Sequence, residues 1–250
     1  GTEKGLNRFD HTTGAFKQYQ NDPNNPESLG HNSVSSLYED EAGVLWIGTW
    51  GGGLSRLNPA DREEGTFVHC RHDPGNRQSL SGNVVRAIAG DLQGTLWIAT
   101  KSGLSCLRRE NRDTGIFQHY QFDSNNPSGL SHDDVWPVYV DRNGALWIGT
   151  YGGGLSRFDA ATQSFRHYQH DPQNPFSLGS NEVYAIREDQ SGAIWIGTRD
   201  GVSRVDRTPL SFRHYQHDPK KPRSMSENSI WTINEDRAGN FWIGTRAGLN

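Results

Sequence analysis

The pentapeptide LWIGT at residues 45–49 returns as LWIAT at 96–100, LWIGT at 146–150, IWIGT at 194–198 and FWIGT at 241–245. Its tryptophans, Trp46, Trp97, Trp147, Trp195 and Trp242, stand 51, 50, 48 and 47 residues apart. A period near 50 belongs to propeller blades or large solenoid units. Phe16, Phe67, Phe117, Phe165 and Phe212 each precede the next repeat tryptophan by 30 residues without a gap. All length variation therefore lies between the tryptophan and the following phenylalanine, where the distance from the Leu or Val of the G-L or G-V pair to the Phe is 10 or 13 residues. One hairpin accepts a three-residue insertion; the rest of the unit accepts none.

Each unit reads as four short strands. The first, VYAIRED at 183–189 for example, is β-branched and aromatic and ends in a D-x-x-G turn, where glycine supplies the positive φ. The second is the W-I-G-T strand, a continuous apolar run of the kind expected when both faces are buried. A glycine-rich turn leads to the third, such as GLSRFD at 154–159, and SFRHYQ at 164–169 is the fourth. The 12- to 14-residue connection that follows, HDPQNPFSLGSN in one copy, carries D-P and N-P pairs that form turns and forbid helix. Four antiparallel strands and a long return describe a β-propeller blade. The fold class expected is all-β: a single β-propeller domain over residues 1–250, built from five four-stranded blade repeats of about 48 residues. GTEKGLN at 1–7 matches GTRAGLN at 244–250, so the chain begins and ends at one phase of the unit. The terminal strands complete one blade if the ring closes; otherwise the chain is part of a larger array.

Composition agrees once the repeat is seen. Leu, Ile, Val and Phe total 49 of 250 residues, which alone leans towards disorder, but a net charge of -4 with eight tryptophans and eight tyrosines does not fit a disordered chain. No apolar run approaches the roughly 20 residues of a membrane helix. The basic residues are dispersed, which argues against a nucleic-acid partner. Cys70 and Cys106 read as buried thiols rather than a staple. No signal peptide is legible.

The pattern N-x-V-x-x-I-x-x-D-x-x-G-x-L-W-I-G-T, seen as NEVYAIREDQSGAIWIGT at 181–198 and with small changes in every other unit, resembles the two-component regulator propeller repeat. The resemblance implies seven-bladed propellers in extracytoplasmic (periplasmic) sensor regions of hybrid histidine kinases, ligand sensing without catalysis by the propeller, and signalling domains elsewhere in a longer chain.

Propeller geometry sorts the remaining columns. The connection from strand four to strand one and the turn from strand two to strand three share the face at the channel mouth; the D-x-x-G turns and variable hairpins lie on the other. Positions that recur in all units, including Asp22, Asp73, Asp123, Asp171 and Asp218, are blade architecture. Two columns vary inside this fixed frame. One lies five residues before the D-x-x-G aspartate: Ser35, Arg86, Trp136, Tyr184 and Trp231. The other follows W-I-G-T: Trp50, Lys101, Tyr151, Arg199 and Arg246, with Glu3 as its N-terminal duplicate. Aromatic faces stack on sugar rings, and arginine offers a planar fork for carboxylate, sulfate or phosphate. The ligand-binding residues expected are Trp50, Arg86, Lys101, Trp136, Tyr151, Tyr184, Arg199, Trp231 and Arg246, and the ligand an oligosaccharide or an anionic small molecule. Packing against neighbouring blades is the competing account of the aromatics.

The histidine pairs His69/His72, His167/His170 and His214/His217 are spaced i, i+3, which on a strand points them to opposite faces and disfavours a shared metal. One carboxylate per D-x-x-G turn is too few for calcium. No cofactor, nucleophile or phosphate-loop motif is present. A protein-interaction scaffold and a propeller lyase or glycosidase remain the alternatives, since fold does not fix function.

Overall fold

The computed structural model describes residues 1–207 and 210–250. The fold is all-β, an array of propeller blades in which each strand pairs antiparallel with its chain neighbour. Two compact units divide the chain, Gly1–Gln121 and Phe122–Asn250.

The first unit opens with the hairpin β1 (Leu6–Phe9) and β2 (Phe16–Tyr19), a two-stranded sheet corresponding to strands three and four of a blade. A four-stranded blade follows: β3 (Val34–Glu39), β4 (Leu45–Thr49), β5 (Leu54–Leu57) and β6 (Val68–Cys70). The next comprises β7 (Val85–Gly90), β8 (Leu96–Thr100), β9 (Gly103–Leu107) and β10 (Gln118–Tyr120). The second unit holds two further four-stranded blades. These are β11 (Val135–Val140), β12 (Leu146–Thr150), β13 (Leu155–Asp159) and β14 (Ser164–Tyr168), then β15 (Val183–Glu188), β16 (Ile194–Thr198), β17 (Gly201–Arg207) and β18 (Leu210–Tyr215). Its last sheet has three strands, β19 (Ile230–Glu235), β20 (Phe241–Thr245) and β21 (Gly248–Leu249), so the third-strand place there is filled by the chain's own final residues. The three-residue insertion of the first unit's blades is a single 3-10 turn, Pro59–Arg62 in one blade and Arg109–Asn111 in the next.

The tryptophan and the D-x-x-G turn form one device, which explains their fixed spacing. Each repeat indole donates its Nε1–H to the turn aspartate: Trp46 to Asp40 (2.9 Å), Trp97 to Asp91 (2.9 Å), Trp147 to Asp141 (3.0 Å), Trp195 to Asp189 (2.7 Å) and Trp242 to Asp236 (3.0 Å). The other carboxylate oxygen of Asp141 accepts the amides of Asn143 and Ala145, closing a turn whose glycine, Gly144, has φ +79°.

The ring then packs across to the next blade. Trp46 and Leu54 meet Leu80, Val85, Leu96 and Ile98, and Trp147 and Leu155 meet Leu178, Val183, Ile194 and Phe212. Trp147 is 3% exposed, whereas Trp242 on the last sheet is 47% exposed. The glycine of W-I-G-T permits this close approach: a methyl group on Gly149 would lie 2.5 Å from Val183 Cγ1 and 2.6 Å from Pro137 Cγ. Gly149→Ala is expected to destabilise the chain by about 1–3 kcal/mol, read as a fall in the urea midpoint, because the facing side chains are already packed.

The assignment of turns to faces holds within each unit. Asn83 O accepts the amides of Gly51 and Gly53 (both 3.0 Å), and Asn181 O those of Gly152 and Gly154 (both 3.0 Å). The two-to-three turn of one blade is thus bonded to the connection entering the next. The connection aspartates cap their own turns as expected, Asp73 accepting the amide of Gly75 and Asp171 that of Gln173. First strands pack against first strands, β3 on β7 and β11 on β15, and are therefore the innermost.

Candidate ligand-binding site

All five innermost strands break register at one place. The ladder shifts between Val34 and Ser36, Val85 and Ala87, Val135 and Val138, Val183 and Ala185, and Ile230 and Thr232. The residues caught in these bulges are Ser35, Arg86, Trp136 (with Pro137), Tyr184 and Trp231, the first variable column of the sequence. A bulged residue is left out of the ladder and its side chain is re-aimed. The second column begins the adjoining turn, its backbone tied to the residue before the first strand: Tyr151 N donates to Asp134 O (2.9 Å), and Arg199 N to Glu182 O (3.1 Å).

In the second unit the two columns converge. Trp136, Tyr151, Tyr184 and Trp231 form one aromatic group. The Trp136 ring lies 5.2 Å from Tyr184, 6.1 Å from Tyr151 and 6.2 Å from Trp231, and Tyr184 stacks on Trp231 at 5.6 Å with an interplanar angle of 11°. Trp231 remains 51% exposed and Tyr151 43% exposed, so the group stays partly open to solvent. A polar pair borders it. Glu182 accepts a hydrogen bond from Tyr184 Oη (2.7 Å) and pairs with Arg199 Nη1 (2.8 Å). Burial alone would raise the Glu182 carboxyl; its hydrogen-bond donors and the Arg199 charge outweigh that and hold it below the usual carboxylate range. Burial, with the bond to Glu182, pushes the Tyr184 phenol far up.

In the first unit the columns bring together one pair, the Arg86 guanidinium 4.5 Å above the Trp50 ring. Ser35 is spent internally, donating to Val85 O (2.7 Å). Lys101 and Arg246 are exposed at their turns and make no ring or ion-pair contact among the described residues.

Glu182 was not among the residues expected. It occupies a third varying column, Ser33, Val84, Asp134, Glu182 and Ser229, immediately before the first strand. Acidic side chains occur there only in the blades that also carry Trp136 and Tyr184, and that signal could have found it.

The histidines are ties within the blade. Their Nδ1 atoms bond serines of the third strand, His69 to Ser55 (2.8 Å), His119 to Ser105 (3.1 Å), His167 to Ser156 (2.8 Å) and His214 to Ser203 (3.1 Å). His72 and His170 bond the loop carbonyls of Leu80 and Leu178 (both 2.8 Å). Cys70 and Cys106 are free thiols, and burial pushes Cys106 up to about 11.

The two component regulator propeller family matches residues 28–51, 129–152, 177–200 and 224–247. Among solved structures, an extracellular domain assigned to the hybrid two component system BT3049 of B. thetaiotaomicron is 27% identical, with a TM-score of 0.70. Another, assigned to BT4673 of the same organism, is 20% identical, with a TM-score of 0.75. Both comparisons cover 100% of this chain but 37% and 30% of those chains, so the present chain spans about a third of their length. A streptogramin B lyase shares the fold at 16% identity and a TM-score of 0.65, over 95% of this chain and 68% of its own. No curated protein matches. Four of the five repeats are thus matched in phase by the two component regulator propeller model, each match ending just past the second strand of its blade.

Proposed function

We propose that the chain is a ligand-sensing propeller segment of an extracytoplasmic receptor of the two-component type, working with signalling domains in a longer protein. Its ligand is an oligosaccharide, received on the aromatic group of the second unit. The observation that carries this reading is the contiguous platform of Trp136, Tyr151, Tyr184 and Trp231, assembled from three blades at bulged and turn positions and half open to solvent. A sugar ring offers a flat C–H face to such a surface and hydroxyls to the Glu182–Arg199 border. The likeness to two extracellular domains supports the location and the receptor setting.

The role is binding rather than catalysis. The Ser–His pairs recur in four blades, and Ser55, Ser105 and Ser156 are fully buried, so no substrate reaches their hydroxyls. The lyase likeness concerns the fold.

Trp231→Ala is expected to weaken oligosaccharide binding at least tenfold, about 1.4 kcal/mol, in isothermal titration, while the melting temperature moves by no more than a few degrees. Unchanged binding would remove the platform from consideration, and loss of folding would make Trp231 a core residue.

A further inference from the structure

We infer that Glu182, and not the arginines of the turn column, decides which ligands the platform takes: the Glu182–Arg199 pair receives adjacent hydroxyls of an uncharged sugar ring and turns away uronates and sulfated sugars. This rests on the platform reading above and narrows it.

The argument begins with hydrogen-bond capacity. A carboxylate offers about four lone-pair directions. Tyr184 and Arg199 each send a donor to Glu182, one to either oxygen, which leaves room for a further donor on a side chain that is 21% exposed. Arg199 carries a fork of several N–H groups, engages Glu182 through Nη1, and is otherwise open to solvent. An acceptor and a donor are thus fixed side by side. Two neighbouring hydroxyls, each able to donate and accept, match that arrangement. Tyr184 places it correctly, because its hydroxyl holds Glu182 while its ring stacks on Trp231 within the platform.

Charge completes the argument. Arg199 is the platform cation that an anion would seek, and a carboxylate already sits 2.8 Å from it. An incoming uronate or sulfate has to displace that carboxylate or lie beside it, and like charges at contact distance in a partly desolvated site repel strongly. The equivalent positions of the flanking blades do not tip the balance: Asp134 adds a negative charge in one, and Arg246 a positive charge opposite Ser229 in the other.

The test titrates the whole chain with neutral hexose oligosaccharides and with oligogalacturonates at low salt, using the unaltered protein, Glu182→Gln and Arg199→Met, with circular dichroism melts confirming that each folds. The unaltered chain is expected to bind a neutral probe in preference to the oligogalacturonates. Glu182→Gln should weaken the neutral probe about tenfold and strengthen oligogalacturonate binding by a similar factor, since Arg199 is then uncompensated. Arg199→Met should weaken the neutral probe and leave the acidic one unbound. Oligogalacturonate binding as tight as neutral binding in the unaltered chain overturns the inference. A neutral probe lost in Trp231→Ala but unaffected by Glu182→Gln overturns it while sparing the platform. Failure of every probe to bind the unaltered chain overturns both.

Discussion

Trp147→Ala is expected to cost about 4 kcal/mol of folding stability, a large part of the roughly 5–15 kcal/mol that holds a domain together. The indole is 3% exposed and packed with Leu155, Leu178, Val183, Ile194 and Phe212. On its own blade it lies 6.1 Å from the Tyr168 ring, under the Arg157 guanidinium at 5.7 Å. Removing it opens a cavity between two twisted sheets that cannot close by shifting one side chain, so the cost includes a cavity contribution besides lost burial. Trp242→Ala, at the same column position but 47% exposed, should cost about 1 kcal/mol or less. Paired urea titrations measure the difference. Equal losses would show that the wedge acts within its own blade and not across to the next.

Asp141→Ala should be nearly as damaging, at about 3 kcal/mol, although it removes only a carboxyl group. Three donors lose their acceptor together: the buried indole N–H of Trp147 and the amides of Asn143 and Ala145. Each donor left unpaired away from water costs about 1–3 kcal/mol, with the turn amides at the lower end because water reaches the turn. Asp141→Asn keeps an acceptor oxygen and should restore a large part of the loss, which separates hydrogen bonding from packing. The last blade carries the same aspartate at an exposed turn. There Trp242, Asn240 and the turn amides pull the Asp236 carboxyl down to about 2. Its folded pKa is depressed, so its contribution is complete above about pH 4, the ordinary aspartate range, and is lost as pH falls towards 2.

The frame of this protein was open to reading because it is written in intervals. Thirty residues from Phe165 on β14 to Trp195 on β16, with no gap in any copy, hold the connection and the innermost strand β15 at constant length, and six residues from Asp189 to Trp195 turn out to be the span of one hydrogen bond. What repetition could not convey was register. The bulges at Arg86, Tyr184 and Trp231 leave the column spacing intact, since every copy carries the same extra residue. The Glu182–Tyr184 bond joins residues two apart, but the bond to Arg199 spans 17 positions and exists only through the pairing of β15 with β16. Arg86 and Arg199 looked equivalent as free cations. One lies over Trp50 and the other against Glu182, partners contributed by different columns. Judging the histidines as pairs along a strand disfavoured a shared metal but could not find their partners, since the serines bonded by His69, His119, His167 and His214 lie 11 or 14 residues earlier on the neighbouring strand.

The bulge in each innermost strand also bears on how such a chain can change over time. Its residue is held by neither the ladder nor the Asp–Trp lock, so Ser, Arg, Trp or Tyr can occupy it without disturbing the pairs on either side. Each copy therefore carries a socket whose side chain can be exchanged by single mutations while folding is left to the remainder of the repeat. Duplication multiplies the sockets, and drift then distinguishes them one by one, so new ligand preferences can arise in this architecture without passing through unstable intermediates.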